Sequence, residues 1–175
     1  MSKRPIRTFK HCMLTVCTFM LLPYASLALD SDKEQGVTWE ADGDSSMKIV
    51  GDLRILEMSK NVRVTQGTLE ILGDEATFEH SVITGELKKV TVRGNPVQYQ
   101  QQLNDEGGIV VGSSRTLSFF TDEIDGNTIL ELVGEASIKS PDSTMKCSAI
   151  TYVVDQDLIR EAVGPCAGAL SPTAN

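Results

Sequence analysis

Few side chains in this sequence have the types and spacing needed for covalent chemistry. Hydrolases of the Ser-His-Asp or Cys-His kind need a histidine base. After the first 28 residues the chain has one histidine, His80, in the polar stretch FEHS beside Glu79. A single histidine in such a stretch is typical of a solvated surface, so the sequence argues against a nucleophilic hydrolase.

Carboxylates offer a second route to chemistry, because glycosidases use a pair of Asp or Glu side chains that face one cleft. Most of the acidic candidates stand in turn-like stretches, where such residues supply turn hydrogen bonds and solubility. A periplasmic glycan-acting β-fold hydrolase is therefore an alternative, and the main prediction is a protein that is not an enzyme. The candidates are Glu57, Asp74, Glu75, Asp122, Glu123 and Asp125.

Motifs that bind cofactors or metals are missing from the sequence. It has no phosphate-binding glycine loop, no HExxH, no CxxC and no EF-hand spacing, so we predict no cofactor. Beyond the first 28 residues there are two cysteines, Cys147 and Cys166. Two thiols are too few for a four-ligand metal site, and in an exported protein they favour one disulfide.

The segment CSAITYVVDQDLIREAVGPC predicts a hairpin that would join these cysteines. A two-residue turn at 156–157 would place them opposite each other on the outer face, at a distance that a disulfide tolerates. A three-residue turn, or a corner near Ser148, would break this register. The predicted pairs are Cys147 with Cys166 and, on the inner face, Ile150 with Val163 and Val154 with Ile159.

The N-terminus has the three zones of a secretory signal. Four cations precede an apolar run from Cys12 to Leu22, and Ser26 and Ala28 put small residues before a cut after position 28. A run of 11 residues is short against the roughly 20 that span a bilayer, so we predict cleavage rather than a membrane anchor. Cleavage moves the formal net charge from −8 to −12, which argues against a nucleic-acid partner.

Beyond the signal the chain alternates turn residues with short segments rich in Val, Ile, Thr, Leu and aromatics, which is typical of many antiparallel strands. No mature segment keeps a helical apolar period over three turns, so the class is all-β. Strand alternation predicts one inner, apolar face. Its members are Val37, Trp39, Val62, Val64, Leu69, Ile71, Phe78, Val90, Val92, Val97, Tyr99, Leu117, Phe119, Leu132, Ile138, Ile150, Tyr152 and Val154.

An internal repeat supports a stack of similar strand units. A shift of 74 residues lays residues 55–78 on residues 129–152 without a gap. Four positions are identical, and others keep their apolar character where an inner face needs them, such as Val64 on Ile138 and Phe78 on Tyr152. This periodicity favours a repeated strand arrangement.

These segments resemble the LptA/OstA-like family of periplasmic lipopolysaccharide transport proteins. The resemblance runs from about Gln35 to Gly164, and its marks are NVRVTQGTLEILGDEATF, GNPVQYQQ, GEASIKS and SAITYVV. It implies a V-shaped antiparallel β-jellyroll of about 16 strands, open at both ends, with an apolar interior groove. The domains implied are a signal over 1–28, one β-jellyroll over 29–164 and a flexible tail over 165–175.

The resemblance also implies a periplasmic bridge that encloses the acyl chains of lipopolysaccharide. Its partners would be an inner-membrane export subunit of the same fold, the N-terminal domain of an outer-membrane translocon, and further copies end to end. The related membrane-anchored subunit is the alternative within the family. The expected lipid-binding residues are Val37, Trp39, Val62, Val64, Ile71, Phe78, Tyr99, Phe119, Leu132, Ile138 and Tyr152, and the family's lipid contacts match Val37, Trp39, Tyr99 and Phe119.

Two features depart from the family. Its members often end in a lysine-rich tail, whereas GPCAGALSPTAN is short and uncharged. The cysteine pair is not a family feature either, so any role of a Cys147–Cys166 disulfide is particular to this chain.

Overall fold

The computed structural model describes Asp32, residues 34–103 and residues 108–171. The expected signal over 1–28 lies outside these residues. Within the described part the chain forms ten strands and one short 3-10 turn, which confirms the all-β class, and it contains no helix that could span a membrane. The strands are β1 (Thr38–Glu40), β2 (Ser45–Val50), β3 (Leu53–Gln66), β4 (Leu69–Ser81), β5 (Leu87–Gln102), β6 (Ile109–Thr121), β7 (Thr128–Lys139), β8 (Ser143–Val153), β9 (Leu158–Val163) and β10 (Ala167–Leu170).

All pairings are antiparallel, and the central strands β3 to β8 pair in sequence order. At one side of the sheet β1 and β2 each pair with a different half of β3. At the other side β9 and β10 each pair with a different half of β8. The chain therefore forms eight long ribbons, and residues 38–50 and 158–170 are the two edge ribbons.

A row of register shifts crosses the sheet near the middle of every long strand. Such irregularities add local twist and bend a strand. In β3 and β7 the shift coincides with pairs of residues in the left-handed backbone region, Lys60 with Asn61 and Gly134 with Glu135. The shifts lie between Ser59 and Val62, Leu72 and Glu75, Arg93 and Val97, Ser113 and Thr116, and Val133 and Ala136.

The bends fold the sheet onto itself. One face of a sheet is fully buried only when a second layer covers it, and here the two halves of the sheet cover each other. We call them leaf A, which comprises β1, β10 and residues 62–66, 69–72, 97–102, 109–114, 136–139 and 143–147, and leaf B, which comprises β2, β9 and residues 53–59, 75–81, 87–93, 116–121, 128–133 and 149–153. Counted as half-ribbons, this gives the 16 strands that the resemblance implies.

The shifts also keep the apolar side chains of each strand on one face of the sheet. In β4 and β5 the numbers of the inward-facing residues change between odd and even at the shift. In β4 the buried residues are odd-numbered in leaf A, as Ile71, and even-numbered in leaf B, as Phe78. In β5 the same exchange separates Tyr99 from Val90. The inner faces of both leaves consequently form one hydrophobic core.

The internal repeat has a structural counterpart in the hairpins β3–β4 and β7–β8. Leu56 pairs with Phe78 as Leu130 pairs with Tyr152. The register shift that follows, at Lys60 and at Gly134, falls at equivalent positions of the two hairpins. The repeated sequence therefore specifies both the inner face and the site of the bend.

The register predicted for the last hairpin is wrong where β8 pairs with β9. Val163 pairs with Ala149 rather than Ile150, and Ile159 pairs with Tyr152 rather than Val154. The turn is longer than two residues, because a 3-10 turn over Val154–Gln156 is followed by a left-handed residue at position 157. A register shift between residues 151 and 152 moves the strand again.

The expected tail over 165–175 needs correction as well. Residues 167–170 form β10, which continues along β8, with Ala167 opposite Lys146 and Leu170 opposite Ser143. The sheet therefore extends past the boundary at 164. Residues 172–175 lie outside the described part of the chain.

Candidate functional site

The inner face brings the predicted lipid-binding residues together. Eight of the eleven are buried in the common core, five of them from leaf A and three from leaf B. Phe119 and Val37 pack against the same core while keeping some exposure. The buried eight are Val62, Val64, Ile71, Tyr99 and Ile138 in leaf A and Phe78, Leu132 and Tyr152 in leaf B.

The inner face is filled in its middle and exposed at both edge ribbons. Leu132, in a central strand, has 0% exposure. Met47 in β2 pairs with the inward-facing Leu56, and Trp39 in β1 pairs with the inward-facing Val64, yet they are 63% and 41% exposed. Leu170 in β10 is 84% exposed. The apolar surface thus runs through the molecule and emerges at each end.

A cavity of about 300 Å³ lies where the free ends of the two leaves meet. Leaf A contributes the end of β3 and of β5, and leaf B contributes the end of β6 and the beginning of β5 and β7. Two predicted lipid-binding residues, Val37 and Phe119, line it. The other lining residues are Asp32, Gln66, Leu87, Lys88, Gln101, Phe120, Thr121, Thr128 and Val154.

A buried polar cluster beside this cavity is missing from the sequence-based predictions. The Asp32 carboxylate, 3% exposed, accepts hydrogen bonds from the Thr68 backbone N–H at 2.9 Å and the Thr68 hydroxyl at 2.6 Å. It also accepts one from Gln101 Nε2 at 3.1 Å, and Gln101 Oε1 accepts one from the Tyr99 hydroxyl at 2.8 Å. The only sequence signal was the polar Gln101 on the inner face of β5.

Two buried tyrosines, Tyr99 and Tyr152, lie in the core close to residues that line this cavity. Burial raises the pKa of Tyr99, and the charges of Asp157 and Asp32 raise it further. Burial likewise raises the pKa of Tyr152, and so does the hydrogen bond that its hydroxyl donates to Asp157. Both phenols therefore stay protonated at neutral pH and act as hydrogen-bond donors within an apolar surface.

Three of the six carboxylates considered for glycan chemistry form ion pairs with basic side chains. Glu57 pairs with Lys48 at 2.8 Å, and Asp122 and Asp125 both pair with Arg160. Hydrogen bonds from Asn127, together with Arg160, lower the pKa of Asp125. A carboxyl group with a lowered pKa is a poor general acid. Within the described residues no three His, Cys, Asp or Glu side chains gather around a common metal position.

The two cysteines are joined in the structure, with their Cα atoms 4.2 Å apart. Cys147 does not lie on the outer face as predicted: it is 6% exposed, belongs to the core and pairs with the buried Ala136. The reason is that the inward-facing positions of β8 change from even to odd numbers around Ser148 and Ala149.

Comparison with known proteins decides what this arrangement belongs to. The family model for the "LptA/(LptD N-terminal domain) LPS transport protein" matches residues 52–158. The chain belongs to this family. The matched range begins just before β3 and ends at the start of β9, so it contains the six central ribbons of the LptA-like sheet, whereas β1, β2 and β10 fall outside it.

Individual relatives agree with the LptA family assignment. The lipopolysaccharide export system protein LptA of Haemophilus influenzae is 27% identical over 149 residues, covering 85% of this chain and 82% of that protein. The lipopolysaccharide export system protein LptH of Pseudomonas aeruginosa is 24% identical over 134 residues, covering 77% and 72%.

A solved structure shows the same fold. The crystal structure of LptH from Pseudomonas aeruginosa, described as the LptA-homologous periplasmic component of the lipopolysaccharide transport device, matches with a TM-score of 0.65. The match covers 81% of this chain and 99% of that chain at 20% identity. The V-shaped jellyroll expected from the LptA resemblance is therefore confirmed.

Proposed function

We propose that this protein is a periplasmic bridge that passes lipopolysaccharide from an inner-membrane export complex toward the outer membrane. The observation that carries the proposal is the apolar inner face, which runs through the folded sheet and emerges at both edge ribbons. A face of this kind encloses acyl chains and hands them on at its ends. Membership of the LptA family and the names of the relatives support the same role.

The energetics suit enclosure of the lipid tails. Burial of one methylene group contributes about 0.8 kcal/mol, so several acyl chains are held without a charged anchor. The protein is acidic, with a net charge of −8 for the full sequence, and would repel the phosphates of the sugar head. The head group stays in water while the tails occupy the groove.

Lipid entry requires the two leaves to separate, because their side chains fill the middle of the groove. The cavity between the leaf ends is the place where this separation begins, since Val37 and Phe119 already face a space there. Acyl chains that widen this cavity would next contact Tyr99 and Tyr152. We therefore assign the eleven predicted residues to the lipid path, with Val37 and Phe119 at its entrance.

The edge ribbons supply the contacts with partners. Unpaired backbone groups of an edge strand bind another strand by addition. The partners that fit are proteins of the same fold: the inner-membrane export subunit, the N-terminal domain of the outer-membrane translocon, and a second copy of this chain. Exposed Trp39 and Met47 at one edge and Leu170 at the other would continue the apolar face across such a junction.

Photo-crosslinking in cells tests the lipid path. A crosslinking residue at Tyr99 or Phe119 is expected to capture lipopolysaccharide. Arg63 and Thr65 are the matched controls, because they point outward from leaf A, where Arg63 pairs with Glu70 at 2.6 Å and Thr65 bonds Thr38. Equal labelling at all four positions would overturn the assignment of the inner face, and the intact mass of the mature protein checks that the signal is removed.

A further inference from the structure

The C-terminal edge ribbon consists of two strands that are held in different ways. β9 follows leaf B and β10 follows leaf A, and residues 164–166 between them leave the pairing with β8. β9 begins at the tight turn after β8, so its register is set locally. β10 is separated from that turn by the whole of β9 and by the break.

The contacts of β10 are few. It forms four residue pairs with β8, and all four of its residues are exposed. Its sequence, Ala-Gly-Ala-Leu, supplies little side-chain packing, and Gly168 approaches β8 so closely that a Cβ there would lie 2.7 Å from the Thr144 carbonyl oxygen. One further hydrogen bond beyond the strand runs from the Ser171 N–H to the Asp142 carbonyl at 2.7 Å.

The disulfide stands at the point where β10 begins. Cys166 directly precedes Ala167, the first paired residue of β10, and Cys147 directly follows Lys146, the residue opposite Ala167. The bond therefore continues the register of the β8–β10 pair by one position. It fixes both the starting point and the alignment of a strand that has little else to hold it.

We propose that the oxidation state of Cys147 and Cys166 determines which strand forms the leaf A edge at the C-terminal end. With the bond formed, β10 is the edge and Leu170 extends the apolar face. Without it, β10 leaves the sheet and residues 143–147 of β8 become the edge. This inference rests on the proposed function, because the edge is where the next protein of the bridge would add its strand.

Bond formation makes a disulfide-donating protein a further partner of this chain. The thiolate of the exposed Cys166 attacks the donor's disulfide and forms a mixed disulfide. The thiolate of Cys147 then attacks Cys166 Sγ and displaces the donor. Two electrons and, in all, two protons pass to the donor, which leaves as a dithiol. The C-terminal edge would thus become competent for assembly only after export to an oxidising compartment.

Amide hydrogen exchange on the mature protein tests the proposal directly. The oxidised protein, the same protein after reduction, and the Cys147→Ser/Cys166→Ser variant are compared. We expect exchange at 167–170 to become about tenfold faster or more in the last two samples, while 158–163 in β9 are unchanged. Equal protection of 167–170 in all three samples would overturn the proposal, and comparison of the reduced protein with the variant guards against an effect of the serines.

A second measurement separates this proposal from the proposed function. Self-association is followed by light scattering for the oxidised and the reduced protein. If association is stronger only when 167–170 are protected, the bond controls the edge used in assembly. If protection changes but neither form associates with itself or with a partner domain of the same fold, the bridge function is wrong although the bond controls the edge. Association that is equal in both forms despite a change in protection would overturn the link to assembly.

Discussion

Lys60 in β3 and Gly134 in β7 occupy equivalent positions in two bulges that lie 74 residues apart, and both have a left-handed backbone, with φ of 67° and 82°. Glycine adopts this conformation without a steric penalty, whereas a lysine is strained there. The same bend is therefore made at different conformational cost in the two halves of the repeat.

Replacing Lys60 with glycine is expected to stabilise the protein. Relief of the left-handed strain, less the added freedom of the unfolded chain, should raise the free energy of unfolding by about 0.5 to 1 kcal/mol. Urea denaturation of the variant and the wild type measures this change in the free energy of unfolding. The reciprocal change, Gly134→Lys, should lower stability, because a Cβ at 134 would also lie 3.1 Å from Arg115 Cβ. A loss of stability in Lys60→Gly would show that the bend does not depend on local backbone preference.

Gly73 allows a close approach between β4 and β5 at the bend. A Cβ at this position would lie 2.4 Å from Val92 Cγ1 and 2.8 Å from the Arg93 carbonyl oxygen. Gly73→Ala should therefore destabilise the protein by about 1 to 3 kcal/mol, as in other overpacked sites. Gly36→Ala is the control, since nothing lies within 4 Å of its Cβ position. Equal thermal unfolding midpoints for Gly73→Ala and Gly36→Ala would contradict the close packing at Gly73.

A charge on the inner face should block transport. Ile138 is 4% exposed, and an aspartate in its place would carry a large desolvation cost, so Ile138→Asp should lose lipopolysaccharide transport in cells. Ser137→Asp is the matched control on the same strand. Ser137 faces outward and pairs with Lys146, which would form an ion pair with the new carboxylate. Normal outer-membrane assembly with Ile138→Asp would exclude leaf A from the lipid path.

Asp157 should make stability depend on pH in the mildly acidic range. Burial raises its pKa, partly offset by the hydrogen bond from Tyr152, while Asp142 raises it further. A carboxyl whose pKa is higher in the folded state contributes stability that is present below its unfolded pKa and is lost as pH rises through its folded pKa.

The variant Asp157→Asn tests this dependence. Asparagine tolerates the left-handed backbone at this position and still accepts the Tyr152 hydrogen bond. The variant should therefore be more stable than the wild type at neutral pH, by less than about 3 °C in Tm because the site is partly solvated. The difference should shrink as pH falls below the pKa of an ordinary carboxyl group. A difference that is constant from acidic to neutral pH would assign the effect to something other than the charge of Asp157.

Local sequence determined the strands and the side chains that face inward. Val64, Tyr99 and Ile138 were predicted correctly as inner residues, because alternation of apolar and polar side chains is a property of each strand alone. The repeat of residues 55–78 at 129–152 also carried real information, since both copies bend at equivalent positions. The family could be recognised for the same reason: its marks lie in these central ribbons.

Only the tertiary structure decided how the leaves meet and how the ends of the sheet are built. One additional residue in a bulge reverses the face of every residue beyond it, so Cys147 lies inside although alternation predicted the outside. Asp32 accepts a hydrogen bond from Gln101, 69 positions away in sequence, and no local pattern reports such a contact. The long turn before β9 and the return of β10 to β8 likewise depend on pairing energies between distant segments, which the composition of Ala-Gly-Ala-Leu does not reveal.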